Sequence, residues 1–210
     1  MWQHRRVTEP SRQQFQRRAL VLEYSTIVWN LGEAVLTIGL GIAAASLALI
    51  GFGTDSIIEV FASLVVVWHI RPAHAADDPA RTGRALRLVA LAFAMLAIVL
   101  FLAAVRDLAT GRRPGESPWG VGYLALTAVV MFGLAAAKRR LAQRLDSAPL
   151  HSEATMTFLD GSLAIGTAIG LLFNALWDWW WADPGAALLV ALVAATEAQE
   201  NWQEARELVA

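Results

Sequence analysis

The stretch GFGTDSIIEVFASLVVVW, residues 51–68, decides the fold of this chain because it places two acids inside a long apolar run. Asp55 and Glu59 are four positions apart, so on a helix they share one face. A water-soluble helix keeps its acids on a solvated stripe, but here apolar residues continue on both sides of the pair. The pattern therefore indicates a membrane helix that directs two acids towards other helices.

The composition of the whole chain agrees with a membrane protein. Of its 210 residues, 57% are hydrophobic and nine are Trp, and the mean hydropathy is +0.48. The chain contains no Cys, which excludes a disulfide framework and a thiolate metal cluster. Any metal must therefore be held by carboxylate, imidazole, thioether or amide groups.

Six apolar segments follow one another along the chain, at roughly 20 residues per bilayer crossing. We predict crossings near residues 20–42, 47–70, 87–106, 118–137, 152–176 and 184–200. Asp183 and Pro184 predict the start of the sixth, as an acidic N-cap followed by proline at the first helical position. The predicted fold is an all-α membrane protein, with a basic arm over residues 1–19 and one six-helix domain over 20–210.

The basic residues predict which side of the membrane holds the termini. Of the 17 Lys and Arg residues, only Arg106, Arg112 and Arg113 fall on the side opposite the N-terminal arm. The positive-inside rule therefore predicts that both termini are cytoplasmic. The Trp-rich run at 177–184 then lies at the outer surface. We interpret the arm as a surface segment that prefers anionic lipid, rather than as a signal peptide or a nucleic-acid ligand.

Acids inside the predicted spans are the main functional signal. Glu23 and Glu153 lie near the cytoplasmic ends, where a carboxylate is either buried or simply interfacial. The deeper acids come from three segments: Glu33, Asp55, Glu59 and Asp160. Each costs at least ~2.5–3.5 kcal/mol if ionised at the membrane centre, and no Lys or Arg is expected at that depth. We expect these acids to exchange protons for a mobile cation, with permanently protonated, hydrogen-bonded acids as the alternative.

These residues resemble the cation diffusion facilitator family. The run 51–68 looks like its second transmembrane helix, with an acid pair at DxxxD spacing. EATMTFLDGSLAIGTAIG, residues 153–170, is similar to its fifth helix, and WWWADPGAALLVALV, 179–193, to its outer loop and sixth helix. The resemblance implies an inner bundle of helices 1, 2, 4 and 5, with helices 3 and 6 outside. It also implies proton-coupled efflux of a divalent transition metal by alternating access, with zinc preferred over manganese, iron, cobalt, nickel or cadmium.

The resemblance further implies where the metal binds. Family members place it between the acid pair of helix two and an HxxxD pair of helix five, which gives Asp55, Glu59 and Asp160 here, with Met156 at the histidine position. Glu33 has a matching depth and would complete an oxygen-rich set. Met156 is either a thioether ligand or a packing residue. Oxygen ligands alone do not select zinc, so the metal preference stays open.

Two further groups of residues have both a functional and a structural interpretation. His151 either receives metal at the cytoplasmic mouth or is an ordinary surface residue. The loop at 71–81 carries His74, Asp77 and Asp78, which form either a secondary metal site or a solvated loop.

The family often ends in a cytoplasmic metal-binding domain, and we expect this chain to be a short form without it. A homodimer is then expected to form through membrane helices. Gly166 and Gly170 form a GxxxG pattern that suits either a dimer contact or packing within one bundle.

No nucleophile–base–acid arrangement and no phosphate-binding glycine loop appears in the sequence, so we do not expect an enzyme. The expected partners are a divalent metal as transported substrate, protons, lipid and a second copy, with no cofactor and no nucleic acid. The expected location is a prokaryotic plasma membrane. The alternative function is a regulatory or interaction subunit on a transporter scaffold, which binds metal without moving it.

Overall fold

The computed structural model describes residues 9–43, 47–71, 78–111 and 118–208, and every regular element in these ranges is an α-helix. The helices are α1 (Glu9–Ala43), α2 (Leu47–Ile70), α3 (Pro79–Thr110), α4 (Pro118–Leu145), α5 (Ala148–Trp177) and α6 (Ala182–Glu207). The predicted all-α class is confirmed. The domain division stays a prediction, and residues 1–8 of the basic arm lie outside the described residues.

Several helices extend beyond the apolar segments that predicted them. The first begins at Glu9 rather than near residue 20, and α4 continues to Leu145 rather than ending near residue 137. Backbone hydrogen bonding does not stop at the edge of an apolar run, because water-exposed turns satisfy their own backbone groups equally well. The basic residues between the fourth and fifth predicted crossings therefore lie on α4: Lys138, Arg139, Arg140 and Arg144.

Two helix starts differ in their capping. The prediction that Asp183 caps α6 was wrong, because the N-cap is Trp181 and Asp183 lies within the first turn. A carboxylate there still interacts favourably with the positive end of the helix dipole. At α3 the N-cap is Asp78, whose side chain accepts a hydrogen bond of 3.0 Å from the Ala80 N–H. Asp78 thus has a structural role, whereas His74 and Asp77 lie outside the described residues.

The helices pack as the resemblance implied. A ring is formed by α1, α2, α5 and α4, in which each helix contacts the next, and α4 contacts α1 to close it. Outside this ring, α3 packs mainly against α6, and this pair also contacts α2 and α5. The interior of the ring is therefore lined by the helices that carry the deep acids.

The glycine pair on α5 is used within the chain. A Cβ at Gly170 would lie 2.8 Å from backbone atoms of Asp183, and one at Gly166 would lie 3.0 Å from the Ala186 Cβ, so α5 and α6 approach closely at these two positions. Glycine permits this approach because it has no side chain. The GxxxG pattern therefore serves packing between α5 and α6, and a homodimer stays a prediction.

The outward faces of the helices are apolar. Val28 on α1 and Leu189 on α6, for example, are 70% and 68% exposed. Among the described residues, three stretches are long and apolar enough to cross a membrane: Gly53–Ile70, Pro79–Thr110 and Ala148–Trp177. Apolar residues outside and acids inside are the distribution expected of an integral membrane protein.

Contacts between helix ends define two faces of the bundle. The Arg144 guanidinium lies 5.9 Å from the Phe15 ring centroid, joining the end of α4 to the beginning of α1. Ser152 donates a hydrogen bond to Asn201, joining the beginning of α5 to the end of α6. We call this end of the bundle the terminal face. Exposed Trp residues at 177–181 lie at the opposite end, the far face.

Candidate metal site

Four acids from three helices lie within electrostatic range of one another inside the ring. Asp160 on α5 interacts electrostatically with Glu59 and Asp55 on α2 and with Glu33 on α1. Glu33, Asp55 and Glu59 are 5%, 8% and 3% exposed, and Asp160 is partly exposed, although its Oδ2 is buried. We call these four residues the acid cluster. The structure thus brings together the four acids that the sequence analysis selected.

Glu33 is held by two hydroxyl groups. Its Oε2 accepts a hydrogen bond of 3.2 Å from Ser56 Oγ, and its Oε1 accepts one from the Tyr123 hydroxyl. Since Tyr123 lies on α4, all four helices of the ring contribute to the cluster. Both oxygens of Glu33 are therefore already engaged.

Glu59 and Asp160 retain oxygens with no such partner. Glu59 Oε1 accepts a hydrogen bond of 2.7 Å from Thr157 Oγ1. Glu59 Oε2 and Asp160 Oδ2 are buried and have no hydrogen-bond partner among the described residues, and neither does Oδ1 of Asn30, which lies beside Glu59. Buried carboxylate and amide oxygens without donors are suited to a cation that supplies the missing positive charge.

The acid cluster is not arranged as a finished coordination shell. Within the described part of the chain, no three His, Cys, Asp or Glu side chains converge closely enough to hold one metal ion. Metal–oxygen bonds for zinc are only about 2.0–2.2 Å long, so several carboxylates must move together before they share an ion. The described conformation therefore gathers the candidate ligands without closing them around one point.

The other predicted site residues lie outside this group of acids. Met156 is 2% exposed and belongs to an apolar cluster that includes Ile58 and Leu159, so its role as a ligand stays a prediction. His151 is exposed in the first turn of α5. Its role in receiving metal also stays a prediction.

A buried lysine contradicts the expectation that no fixed cation accompanies the acids. Lys138 on α4 is fully buried, and its Nζ lies 2.5 Å from Glu153 Oε1 and 3.5 Å from Glu23 Oε2. Glu23 and Glu153 are themselves fully buried, so the interfacial interpretation of both was wrong. The lysine prevents the two carboxylates from being buried without a counter-charge. We call these three residues the lysine triad.

The triad was missed because the apolar segment ends at residue 137, one position before the lysine. The spacing of residues along the helix, rather than the length of the apolar segment, indicates that Lys138 is buried. Met131, Ala135, Lys138 and Ala142 are all buried, and their 4, 3, 4 spacing is that of one helix face. A lysine that continues an inward-facing stripe is a candidate for burial.

Thr157 connects the lysine triad to the acid cluster. Its Oγ1 accepts a hydrogen bond of 3.1 Å from Lys138 Nζ and donates one of 2.7 Å to Glu59 Oε1. Ser63 donates a hydrogen bond of 3.0 Å to Glu153 Oε1. Ser63 follows Glu59 on α2 and Glu153 precedes Thr157 on α5, each by one helical turn. The triad therefore lies on the terminal-face side of the acid cluster.

Comparisons with known proteins agree with these features. The family model described as the cation efflux transmembrane domain matches residues 24–208. The chain is also 21% identical over 182 residues to Transmembrane protein 163 of Xenopus laevis, an alignment that covers 86% of this chain and 65% of the relative. The chain thus spans less than two thirds of that relative's length.

Proposed function

Since this chain belongs to the cation efflux transmembrane domain family, we propose that it carries a divalent transition-metal cation across the membrane. The observation that carries the proposal is the acid cluster, in which buried acids of α1, α2 and α5 lie in one neighbourhood. Several neighbouring carboxyl groups cannot all ionise in a low-dielectric interior unless a positive charge compensates them. A divalent cation supplies that charge, so the acid cluster favours its binding.

Movement of the cation requires the cluster to change shape. The four acids lie on three helices and are not closed around one point, so a bound dication would pull α1, α2 and α5 towards one another. We propose that this closure alternates with release on the other side of the membrane, and that protons replace the metal on the same carboxylates. Net transport then exchanges metal for protons, so a proton gradient directed into the cytoplasm drives the metal outwards.

We propose zinc as the preferred metal, in keeping with the family resemblance. The donor set itself is mostly oxygen, which also suits manganese and ferrous iron. Met156 is the only thioether that the sequence analysis placed among the candidate ligands. Replacing it by Leu keeps the volume and removes the sulfur, so unchanged selectivity between zinc, cadmium and manganese in Met156→Leu would assign it to packing.

The proposal is tested by flux in proteoliposomes that contain a metal-sensitive dye and carry a pH gradient. We expect wild-type protein to move Zn²⁺ and protons in opposite directions, and Asp55→Asn to abolish both movements because it removes one charge of the acid cluster at almost constant volume. The matched control is Glu200→Gln, which neutralises an exposed acid on α6.

Two results would contradict the proposal. One is zinc flux that Asp55→Asn leaves unchanged, which would place the transport pathway elsewhere. The other is zinc binding that Asp55→Asn weakens, in a wild-type protein that shows no flux. The second result would support the alternative function, a membrane subunit that binds metal without moving it.

A further inference from the structure

We propose that Glu23 and Glu153 form a second divalent-cation site, and that the Lys138 ammonium occupies this site as a tethered cation in the described conformation. The proposal rests on the proposed function for the identity of the cation. It rests on the lysine triad for its geometry.

The triad has two carboxyl groups for one ammonium group, and it has unused ligand atoms. One ammonium group faces two fully buried carboxylates. Glu153 Oε2 is buried and has no hydrogen-bond partner among the described residues, while the Glu23 carboxyl group interacts only with Glu153, Ser63 and Lys138. The hydroxyl groups of Ser63 and Thr157 lie within hydrogen-bond distance of Glu153 Oε1. Two carboxylates and two hydroxyls are hard oxygen ligands that a dication accepts.

The Lys138 side chain extends towards the interior of the bundle and not towards water at the membrane surface. Cα–Cβ bonds tilt towards the N-terminus of a helix, and α4 begins at the far face, so Lys138 is directed away from the terminal face. A lysine near a membrane surface normally extends its ammonium towards water. Here Nζ instead reaches Thr157, one turn deeper than Glu153. The ammonium therefore occupies an interior position that a free cation would otherwise fill.

The position of the triad gives this second site a place in transport. It lies between the terminal face and the acid cluster, and Thr157 joins the two groups through hydrogen bonds to Lys138 and Glu59. A dication arriving from the terminal face can neutralise both carboxylates, whereas the ammonium neutralises only one. Displacement of Lys138 by the metal would then break its hydrogen bond to Thr157, and Thr157 would be free to release Glu59.

Metal stoichiometry tests the second site without relying on the first. The parent is Asp55→Asn/Asp160→Asn, which removes two acids of the acid cluster, and the probe is Zn²⁺, measured by calorimetry and by metal analysis after gel filtration. We expect the parent to retain no zinc through gel filtration, because the tethered ammonium competes with the metal for the two carboxylates and makes its binding weak. Adding Lys138→Met frees the triad carboxylates, so we expect one zinc per chain. Adding Lys138→Arg keeps a cation in place, so we expect none.

A second variant separates the site from a general effect of removing lysine. Adding Lys138→Met together with Glu153→Gln to the parent should return the stoichiometry to zero. The proposal is overturned if the Lys138→Met protein binds no zinc while folded, if it unfolds whether or not zinc is present, or if Glu153→Gln leaves its binding intact. Zinc binding by otherwise wild-type protein reports separately on the acid cluster, so failure of the proposed function is distinguishable.

Discussion

Thr157 forms the hydrogen bonds that join the lysine triad to the acid cluster. Its hydroxyl has a single proton, and the shorter of its two contacts with carboxylates, 2.7 Å, is to Glu59 rather than Glu153. Because the same oxygen accepts a hydrogen bond from Lys138, the ammonium polarises the hydroxyl towards Glu59. Glu59 Oε1 is therefore fixed on the terminal-face side, and Oε2 remains without a partner.

Replacing Thr157 by Val should test this connection. The substitution keeps the shape of the side chain but removes a hydrogen bond to a charged group, so we expect the free energy of unfolding to fall by about 1.5–3 kcal/mol. Thr155→Val is the matched control, because among the described residues the Thr155 hydroxyl donates one hydrogen bond, to the His151 carbonyl of its own helix, at 3.3 Å. We expect the control to change stability by less than about 0.5 kcal/mol in thermal unfolding in detergent micelles. Equal losses of stability in the two variants would mean that the hydrogen bonds of Thr157 to Lys138 and Glu59 do not stabilise the fold.

Some residues of the site could be predicted from the sequence, and others could not. Acids within an apolar run are conspicuous because they are costly there, and Asp55, Glu59 and Asp160 could therefore be chosen without coordinates. Ser56 and Tyr123 could not, because a hydroxyl is common in membrane helices and its partner depends on how other helices pack. Charge alone was insufficient for Lys138, whose burial depends on which face of α4 turns inward.

At the scale of the helices, α5 is the central element, because it packs against four other helices. It contacts α4 and α2 within the ring and α3 and α6 outside it. It also carries residues of both charged groups, Asp160 of the acid cluster and Glu153 of the lysine triad. Any movement of α5 must therefore change its contacts with α6, where Gly170 allows the closest approach.

Gly170→Ala should weaken the α5–α6 contact. The added Cβ would lie 2.8 Å from backbone atoms of Asp183, so the beginning of α6 must shift, at a cost of about 1–3 kcal/mol. Gly133→Ala on α4 is the control, because a Cβ there meets no atom within 4 Å. Alanine's higher helix propensity should leave this variant unchanged or stabilise it by up to about 1 kcal/mol. Thermal unfolding of both variants measures the difference, and a stable Gly170→Ala protein would argue against close packing at this position.

The sequence predicted the number of helices correctly, but it did not predict the residues at which they begin and end. Hydropathy reports where the chain prefers lipid, and it identified six apolar segments because the bilayer imposes a minimum length. Helix ends are set instead by caps and turns, so α1 and α4 continue well into their basic ends. Those continuations decide the site, since Lys138 lies on the part of α4 beyond the predicted crossing.

At the scale of the whole molecule, polar groups lie inside the ring of four helices and large apolar side chains lie on the outward faces of the described helices. Large apolar side chains cover the outward faces, while carboxylates, hydroxyls and one ammonium lie within the ring. Breaking a buried ion pair by removing one partner typically costs 3–5 kcal/mol. The interior is therefore stable only while its charges stay balanced, and a cation that enters or leaves must be accompanied by a compensating change in protons or in the position of Lys138.

The orientation of the molecule decides which charged group a cytoplasmic cation meets first, and it can be measured because the chain has no Cys. Ala109 is exposed near the far face and Gln203 near the terminal face, so single cysteines at these positions report on opposite sides. The excess of basic residues at the terminal face predicts that this face is cytoplasmic. A membrane-impermeant maleimide should thus label Ala109→Cys in intact cells, but Gln203→Cys only after permeabilisation. The reverse pattern would contradict the predicted cytoplasmic termini and would mean that a cation arriving from outside meets the lysine triad before the acid cluster.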